Sequence, residues 1–414
     1  MRISTSQIHN QALNQILDTQ RQAAKTQNQI ATGRRYATAA DDPVGAVQVE
    51  RLNRELASRA QYQKNIDLAE SELRLEESSL EQAGNLLQRV RELTVQAGNP
   101  INTPEDRAFI AAEVETRLDE LMQLMNTKLA SGDYLFGGNV GGREPFVRDA
   151  SGAIRYQGDE GQRAVQIDGS IRLPVNDSGK RLFVDVPAAR TTVVASAHPN
   201  NPPGGTGVLA QPAVEDQDAL EALHPGGLII EFRPLEEDPG GLPNFTVRRL
   251  GDQRVVEGLE NVRFEPGQPI SVAGMALTVE GSPRPGDRFV VETSDEQGVL
   301  DTIGNLVEGL RSLPGTGEDD DAYQQLIGDS LTNLDNAMSN ILEVRSEIGA
   351  RMNVMDSVRS LHDQVTLLST EAKSEIEDVD FAKAISDLNF QTLVLEAAQQ
   401  SFVRVSRLSL FDAI

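Results

Sequence analysis

Cysteine and tryptophan are both absent from the 414 residues, and aromatic side chains make up only 4% of them. Without cysteine there is no disulfide, thiol nucleophile or thiolate metal site, and the chain is indifferent to the redox state around it. So few aromatics argue against one large globular core and for narrow helix bundles. Proline is missing regionally: none lies between 315 and 414 and one in the first 99 residues, whereas 15 of 19 fall between 141 and 300. Glycine follows the same boundary, with 21 of 34 in that middle stretch. Proline removes a helical hydrogen bond and clashes with the preceding turn, so the outer regions can be long helices and the middle cannot. Also lacking is any apolar run of signal-peptide or membrane-spanning length. The start, Met1-Arg2-Ile3-Ser4-Thr5-Ser6-Gln7, is polar, so neither a cleaved secretory signal nor membrane insertion is expected.

Positive charge is scarce. The formal charge is -25, distributed as +4 over residues 1–40, -8 over 41–140, -9 over 141–300, -12 over 301–380 and zero over 381–414. A surface this acidic repels nucleic acid and anionic lipid and keeps monomers soluble. The two ends lack that repulsion and can pack closely with copies of themselves.

What is present is helical periodicity. Residues 4–31 read as a Gln-rich helix with a thin apolar stripe that includes Ile8, Leu13, Ile16 and Leu17. Gly33-Arg34-Arg35 interrupts it, and Asp42-Pro43 reads as an N-cap followed by proline at the first helical position. From Ile66 a heptad runs through Leu73, Leu80, Leu87 and Thr94 at one seam position and Ala69, Glu76, Ala83, Val90 and Ala97 at the other. A helix from Pro43 to Ala97 would be roughly 80 Å long. Gly98-Asn99-Pro100 stops it, and Thr103-Pro104-Glu105-Asp106 restarts one whose stripe is Ile110, Val114, Leu118, Leu121, Met125 and Leu129, ended by Gly132 and Gly137-Gly138. The open face of this hairpin is matched after residue 320 by Ile327, Leu331, Leu334, Met338, Ile341, Ile348, Met352, Met355, Val358, Leu361, Val365, Leu368 and Ala372. Arg345 is the polar entry, and a one-residue contraction near Met355–Val358 reads as a stammer. A last stripe, Phe381, Ile385, Leu388, Leu395 and Phe402, leads into Leu408-Ser409-Leu410-Phe411.

Between these helices lie short alternating runs bounded by turn residues, at Ala153–Gln157, Ala164–Ile167, Leu182–Val186, Gly227–Phe232, Phe245–Arg249, Met275–Val279 and Phe289–Glu292. They predict strands of a β-rich domain of undetermined strand order, with His198–Gly207 as a surface loop. The expected fold class is mainly α with an inserted β-rich domain. Residues 1–42 with 376–414 would form terminal assembly helices, 43–140 with 299–375 an elongated helical bundle, and 141–298 the β-rich outer domain.

Both ends resemble the axial proteins of the bacterial flagellum, most closely the hook-filament junction family of FlgL type within the flagellin-like superfamily. The residues that carry the resemblance are Met1-Arg2-Ile3-Ser4-Thr5, Ile30-Ala31-Thr32-Gly33-Arg34-Arg35 and Asp41-Asp42-Pro43-Val44-Gly45-Ala46. Toward the other end they are Ile348-Gly349-Ala350-Arg351-Met352-Asn353, Ile376-Glu377-Asp378-Val379-Asp380 and Leu408-Ser409-Leu410-Phe411-Asp412-Ala413-Ile414. Tyr134-Leu135-Phe136-Gly137-Gly138 and Pro285-Gly286-Asp287-Arg288-Phe289 are similar to the family's exit into and return from its insert. The likeness spans about residues 1–140 and 286–414; the insert's interior matches nothing recognisable. It implies an extracellular structural subunit exported without a cleaved signal peptide, with an export chaperone. The implied partners are another hook-associated protein on the hook side, flagellin on the filament side, and copies of itself in a ring. Terminal helices would form an inner tube, with the insert facing outward. Flagellin itself and an outward-displayed binding module in the insert are the alternatives.

Lone terminal helices with thin stripes are marginal in water, because nucleation is costly and little apolar area is buried. Residues 1 to about 40 and 380–414 are therefore expected to order in the assembled tube. The assembly interface is expected at Ile3, Ile8, Leu13, Ile16, Leu17, Leu388, Leu395, Phe402, Leu408, Leu410 and Phe411, since exposed apolar ends mark interaction sites.

No catalytic, cofactor or metal chemistry is expected. His9, His198, His224 and His362 are dispersed and read as surface residues, without the paired spacing of a zinc hydrolase. Glu318-Asp319-Asp320-Asp321 lacks the spacing of a calcium loop and suits a helix start. Gly204-Gly205-Thr206-Gly207 lacks the lysine of a phosphate loop. Asp41-Asp42-Pro43 is a paired carboxylate that a cap accounts for.

Overall fold

The computed structural model describes residues 5–148, 154–198, 200–202, 207–210, 212–233, 244–313 and 320–411. It separates into two compact units. The first comprises Met1–Asp67, Gln166–Ile171 and Met355–Ile414, and the second Leu68–Val165 and Arg172–Val354. Long helices and a β-rich middle make up the chain, which is the expected fold class.

The helices follow the breaker map. Helix α1 is Thr5–Thr32, α2 is Pro43–Ala97 and α3 is Pro104–Met125. Helix α2 begins at the expected proline, with the Asp42 carboxylate accepting from the Gly45 N–H at 2.9 Å. Helix α3 begins on a full capping box, in which the Thr103 hydroxyl accepts from the Asp106 N–H while the Asp106 carboxylate accepts from the Thr103 N–H at 3.0 Å. It ends at Met125, short of the expected glycines. There the Asn126 side chain bridges to Phe146, donating to its carbonyl and accepting from its N–H. Leu129 is buried but lies beyond the helix.

In the second unit α2 and α3 meet α5 (Val299–Ser312) and α6 (Asp320–Glu377). Helix α5 was not expected as a separate helix; it packs against α3 and buries Ile303, Leu306 and Leu310. Helices α2 and α6 run antiparallel: the Tyr323 hydroxyl donates to the Ala97 carbonyl, Arg91 pairs with Asp335, and Arg345 pairs with Glu77.

The predicted α2 heptad from Ile66 to Ala97 is buried at every position, Glu76 and Thr94 included. On α6 the seam differs from the expected one. The inward positions are Tyr323, Ile327, Ser330, Leu334, Ala337, Ile341, Val344, Ile348, Arg351, Met355, Val358 and His362, an uninterrupted alternation of fours and threes. The expected stammer is absent. Hydrophobic periodicity favours Met352 over Arg351 and so contracts the spacing there, and the inward neighbour of Ile341 is Val344, not Arg345. Arg351 turns inward because buried carboxylates meet it there; Arg345 turns to the flank, where Glu77 meets it.

In the first unit α7 (Phe381–Phe411) runs back along α1. Gly33, at φ +72, makes the turn that brings the ends together. Its carbonyl accepts from the Val379 N–H at 3.0 Å, and the Arg35 N–H donates to the Glu377 carbonyl at 2.7 Å. The 166–171 turn also belongs to this unit: Asn65 donates to the Gln166 carbonyl at 2.7 Å, and the ring of buried His362 lies 3.3 Å from Asp168.

The middle segment has two parts. Hairpins β1 (Phe146–Arg148) with β2 (Ile154–Tyr156), and β3 (Ala164–Gln166) with β4 (Arg172–Pro174), lead to a π-helical turn at Lys180–Val184 where a strand was expected. The apolar residues there bury inward on a helical turn: Phe183 packs edge-on against Phe136 and Phe146, and Leu182 is fully buried.

Beyond it, β5 (Pro187–Ala197), β8 (Gly227–Arg233), β9 (Asn244–Arg249), β10 (Val262–Arg263) and β13 (Arg288–Glu296) form an antiparallel sheet in the order β10-β9-β8-β13-β5. A second sheet joins β11 (Pro269–Val272), β12 (Met275–Glu280) and β6 (Val208–Leu209), with β7 (Ala213–Val214) on β12. These sheets and the short helix α4 (Gln217–Glu221) share their own core, centred on Leu220, Ile230, Phe232, Val247, Met275, Leu277 and Phe289.

Candidate assembly interface

Chemistry points first to the α1–α7 pair. On α1 the less exposed positions are Ala12, Ile16, Thr19, Ala23, Thr26 and Ile30; on α7 they are Ala384, Leu388, Gln391, Leu395, Ala398 and Phe402. Each set follows the four-three spacing of a packed helix seam. Ala, Thr and Gln make up much of the seam, and of its members Ala23, Thr26 and Ala384 are buried while the larger side chains stay half-exposed.

Outside it lies a broad apolar surface. Phe390 is 66% exposed and Leu393 64%, and Phe381, Ile385, Val394 and Val403 share the outer part of α7. In the same unit Leu13, Leu17, Val44, Val47, Leu361, Leu367 and Leu368 are also exposed. A soluble monomer rarely shows so many large apolar side chains on adjoining helices.

The expected interface residues divide accordingly. Leu13 and Leu17 are exposed on α1, while Ile16, Leu388, Leu395 and Phe402 are half-buried on the α1–α7 stripes. Ile3 lies outside the described residues, as do the side chains of Ile8, Leu408, Leu410 and Phe411. Phe390, Leu393 and Val394, which sequence periodicity does not select, lie off the four-three stripe because they do not face α1.

A second concentration of polar chemistry lies inside the second unit. Asp177 is fully buried and takes both arms of the Arg351 guanidinium, at 2.7 and 3.1 Å, and the Gln162 amide at 2.6 Å. Arg351 also reaches Glu347, which is gripped by Arg181 at 2.7 and 3.0 Å and thereby held below the usual glutamate range. Glu76 is buried beside them, and one of its oxygens accepts from the Asp177 N–H at 2.9 Å. Burial, reinforced by the Asp177 charge, raises Glu76 well above the ordinary glutamate value.

The histidines correct the expectation of surface residues. His362 sits in the α6 seam, 2% exposed, beside the Tyr62 ring. His224 is partly covered, with Thr293 at 3.1 Å from one ring nitrogen and Asp295 at 3.2 Å from the other. This resembles a hydroxyl–imidazole–carboxylate relay, but the Thr293 hydroxyl donates to the Gly226 carbonyl at 2.8 Å and so offers no proton to the ring. Among the described residues no three His, Asp or Glu side chains converge as a metal site, and no helix is long and apolar enough to cross a membrane. Residues 204–206 and 318–319 of the glycine and acidic runs lie outside the described residues.

Comparison with known proteins agrees with a structural role. A model of the bacterial flagellin N-terminal helical region matches residues 3–140, and one of the C-terminal helical region matches 331–412. Flagellar hook-associated protein 3 of Escherichia coli is 23% identical over 412 residues, covering 100% of this chain and 99% of that protein. A flagellin of Clostridium tyrobutyricum is 23% identical over 98% of this chain and 99% of its own length. Among solved structures, hook-associated protein 3 of Legionella pneumophila superposes with a TM-score of 0.53 at 27% identity, over 79% of this chain and 98% of that one. These relatives are structural flagellar proteins, not enzymes.

Proposed function

We propose that this chain, which belongs to the flagellin-like superfamily and is a structural component of the bacterial flagellum, forms the ring that joins the hook to the filament. The observation that carries the reading is likeness to hook-associated protein 3 along nearly the whole length of both chains, joined by a fold likeness at 27% identity. The ring is built of copies of this chain, with another hook-associated protein below and flagellin above. Head-to-tail contacts that close around a ring supply two unlike faces, which is what joining two unlike lattices requires. The exposed apolar side chains of α1 and α7 support the assignment of assembly to residues 1–42 with 376–414. In this reading 43–140 with 299–375 serve as the bundle and 141–298 as the outward part. Export proceeds without a cleaved signal, with a chaperone covering apolar helix surface until assembly.

A clean deletion in the source bacterium tests this: hooks persist, filaments are lost, and flagellin accumulates in the medium. Normal filaments would overturn it. Flagellin is the second reading, favoured by the full-length match to the Clostridium tyrobutyricum protein. It requires the purified chain to polymerise alone into long filaments and labelled protein to line the whole filament. The junction reading requires a spot at the hook end.

A further inference from the structure

Glu76, fully buried in the α2–α6 seam, has no ion-pair partner among the described residues. The charges of Asp177, Arg351 and Arg163 act on it; their ion pairs extend to Glu72 on α2, Glu347 on α6 and Arg181, and Glu77, next to it on α2, faces Arg345 of α6. Arg345 is taken by Glu77 on the flank. Of the remaining groups, Arg163 pairs with Glu72 at 3.2 Å, Arg181 with Glu347 at 2.7 Å and Arg351 with Asp177 at 2.7 Å. Each guanidinium therefore has its carboxylate, and Glu76 is left over. Glu343, 3.8 Å from Arg181, is a further acid but is solvated.

The two buried carboxylates are not equivalent. Asp177 accepts from Arg351 twice and from Gln162, a donor set that suits a full negative charge. Glu76 accepts from one backbone N–H, and its second oxygen is buried with no hydrogen-bond partner. An ionised carboxylate with a bare buried oxygen is far costlier than a neutral acid in the same place.

We propose that Glu76 is a proton-binding site built into the α2–α6 seam, holding its proton at neutral pH and making the surrounding ion cluster electrically neutral. The site is independent of what the assembled protein joins. It gives the helical unit a stability set by the pH outside the chain. The folded state keeps a proton that the unfolded state has released. Stability present below the ordinary glutamate value is therefore lost as the pH rises toward the value in the folded chain.

The test is urea unfolding of the full chain at a series of pH values, in wild type and Glu76→Gln. Glutamine keeps an acceptor for the Asp177 N–H and has no charge to lose. Through the window in which only the unfolded chain is ionised at this residue, the wild-type unfolding constant rises relative to the variant's by up to about tenfold per pH unit. Parallel pH profiles would overturn the proposal. Should the variant fail to fold, wild-type protein carrying carboxyl-labelled glutamate decides the question by NMR. One glutamate carboxyl is expected at the protonated-acid position at pH 7, and a spectrum in which every glutamate is a carboxylate would sink the idea.

Discussion

At the scale of single residues, the most consequential side chain is Arg351. Sequence periodicity favours its neighbour Met352 for the α6 seam, yet the arginine is the one that turns in, with its side chain 12% exposed against a fully buried Asp177. Removing the guanidinium leaves Asp177 buried with only Arg181, 3.7 Å away and engaged with Glu347, as counter-charge. Arg351→Ala should therefore destabilise the second unit by about 3–5 kcal/mol, measured by urea unfolding. Arg351→Lys should recover only part of that, because an ammonium cannot span both carboxylate oxygens. A smaller effect belongs to Thr103, where Thr103→Ala removes the hydroxyl half of the capping box at the start of α3 and leaves the Asp106 carboxylate on the backbone N–H of residue 103. It should cost about 1 kcal/mol and speed amide exchange in that first turn. If Arg351→Ala proves no worse than Thr103→Ala, the buried pair matters less than its geometry implies.

Among the elements, α1 and α7 differ from the other long helices in how little they bury against each other. On the α1–α7 seam Ala23, Thr26 and Ala384 are buried while Ile16, Ile30, Leu388, Leu395 and Phe402 stay half-exposed, so the pair gains little from burial, and isolated helices of this kind are marginal in water. Amide exchange in dilute monomer should accordingly be fast along both helices and slow along α2 between Leu73 and Val90. Equal protection would mean that assembly is not what orders them.

The outer face makes a separate prediction. Phe390→Ser touches a side chain that is 66% exposed, so it should leave monomer helicity unchanged while reducing swimming in a complemented deletion strain. Leu395→Ser, on the half-buried stripe, should lower both.

Much of this architecture was legible in the sequence. Proline and glycine placement drew the helix boundaries except the end of α3, Asp42-Pro43 and Thr103-Pro104 marked two starts, and the α2 heptad could be read residue by residue because its one charged member falls between strong hydrophobic neighbours. The α6 register was misread where a buried arginine and a methionine stand side by side, since hydrophobicity cannot register a charge whose partner lies 174 positions away. The exposed side chains of α7, Phe390 and Leu393 among them, lie off the intrachain period for the complementary reason: they do not face α1. Helix α5 follows strand β13 directly, and its short apolar run reads equally as strand or helix.

For the molecule as a whole, the pairing of β5 with β13 decides how far the middle segment can be dissected. Segments 145–148, 154–165 and 172–186 are bound into the helical unit through the Phe136–Phe146–Phe183 cluster, the Asn126 bridge and the Asp177 ion pairs. Cutting there would expose aromatic core and orphan a buried arginine. Past that point the chain enters β5 and returns on β13, where Thr192 and Ser294 are register partners. Partners in an antiparallel pair lie about 5 Å apart, a gap that a two-residue turn closes. Replacing 193–293 with Asn-Gly therefore removes the separate β core as a block. It keeps the Asn333 contact to the Ala189 N–H, the Arg190–Asp329 pair and the Thr192 hydroxyl bond to the Ser294 carbonyl. The shortened chain should remain monomeric and helical, unfold with the same pH profile as the full chain, and restore filaments and swimming to a deletion strain. If the excised block is instead a displayed binding module, swimming returns but attachment to surfaces is lost. A shortened chain that folds, is exported and still leaves hooks bare would place part of the joining surface in the β core, against the assignment of assembly to α1 and α7.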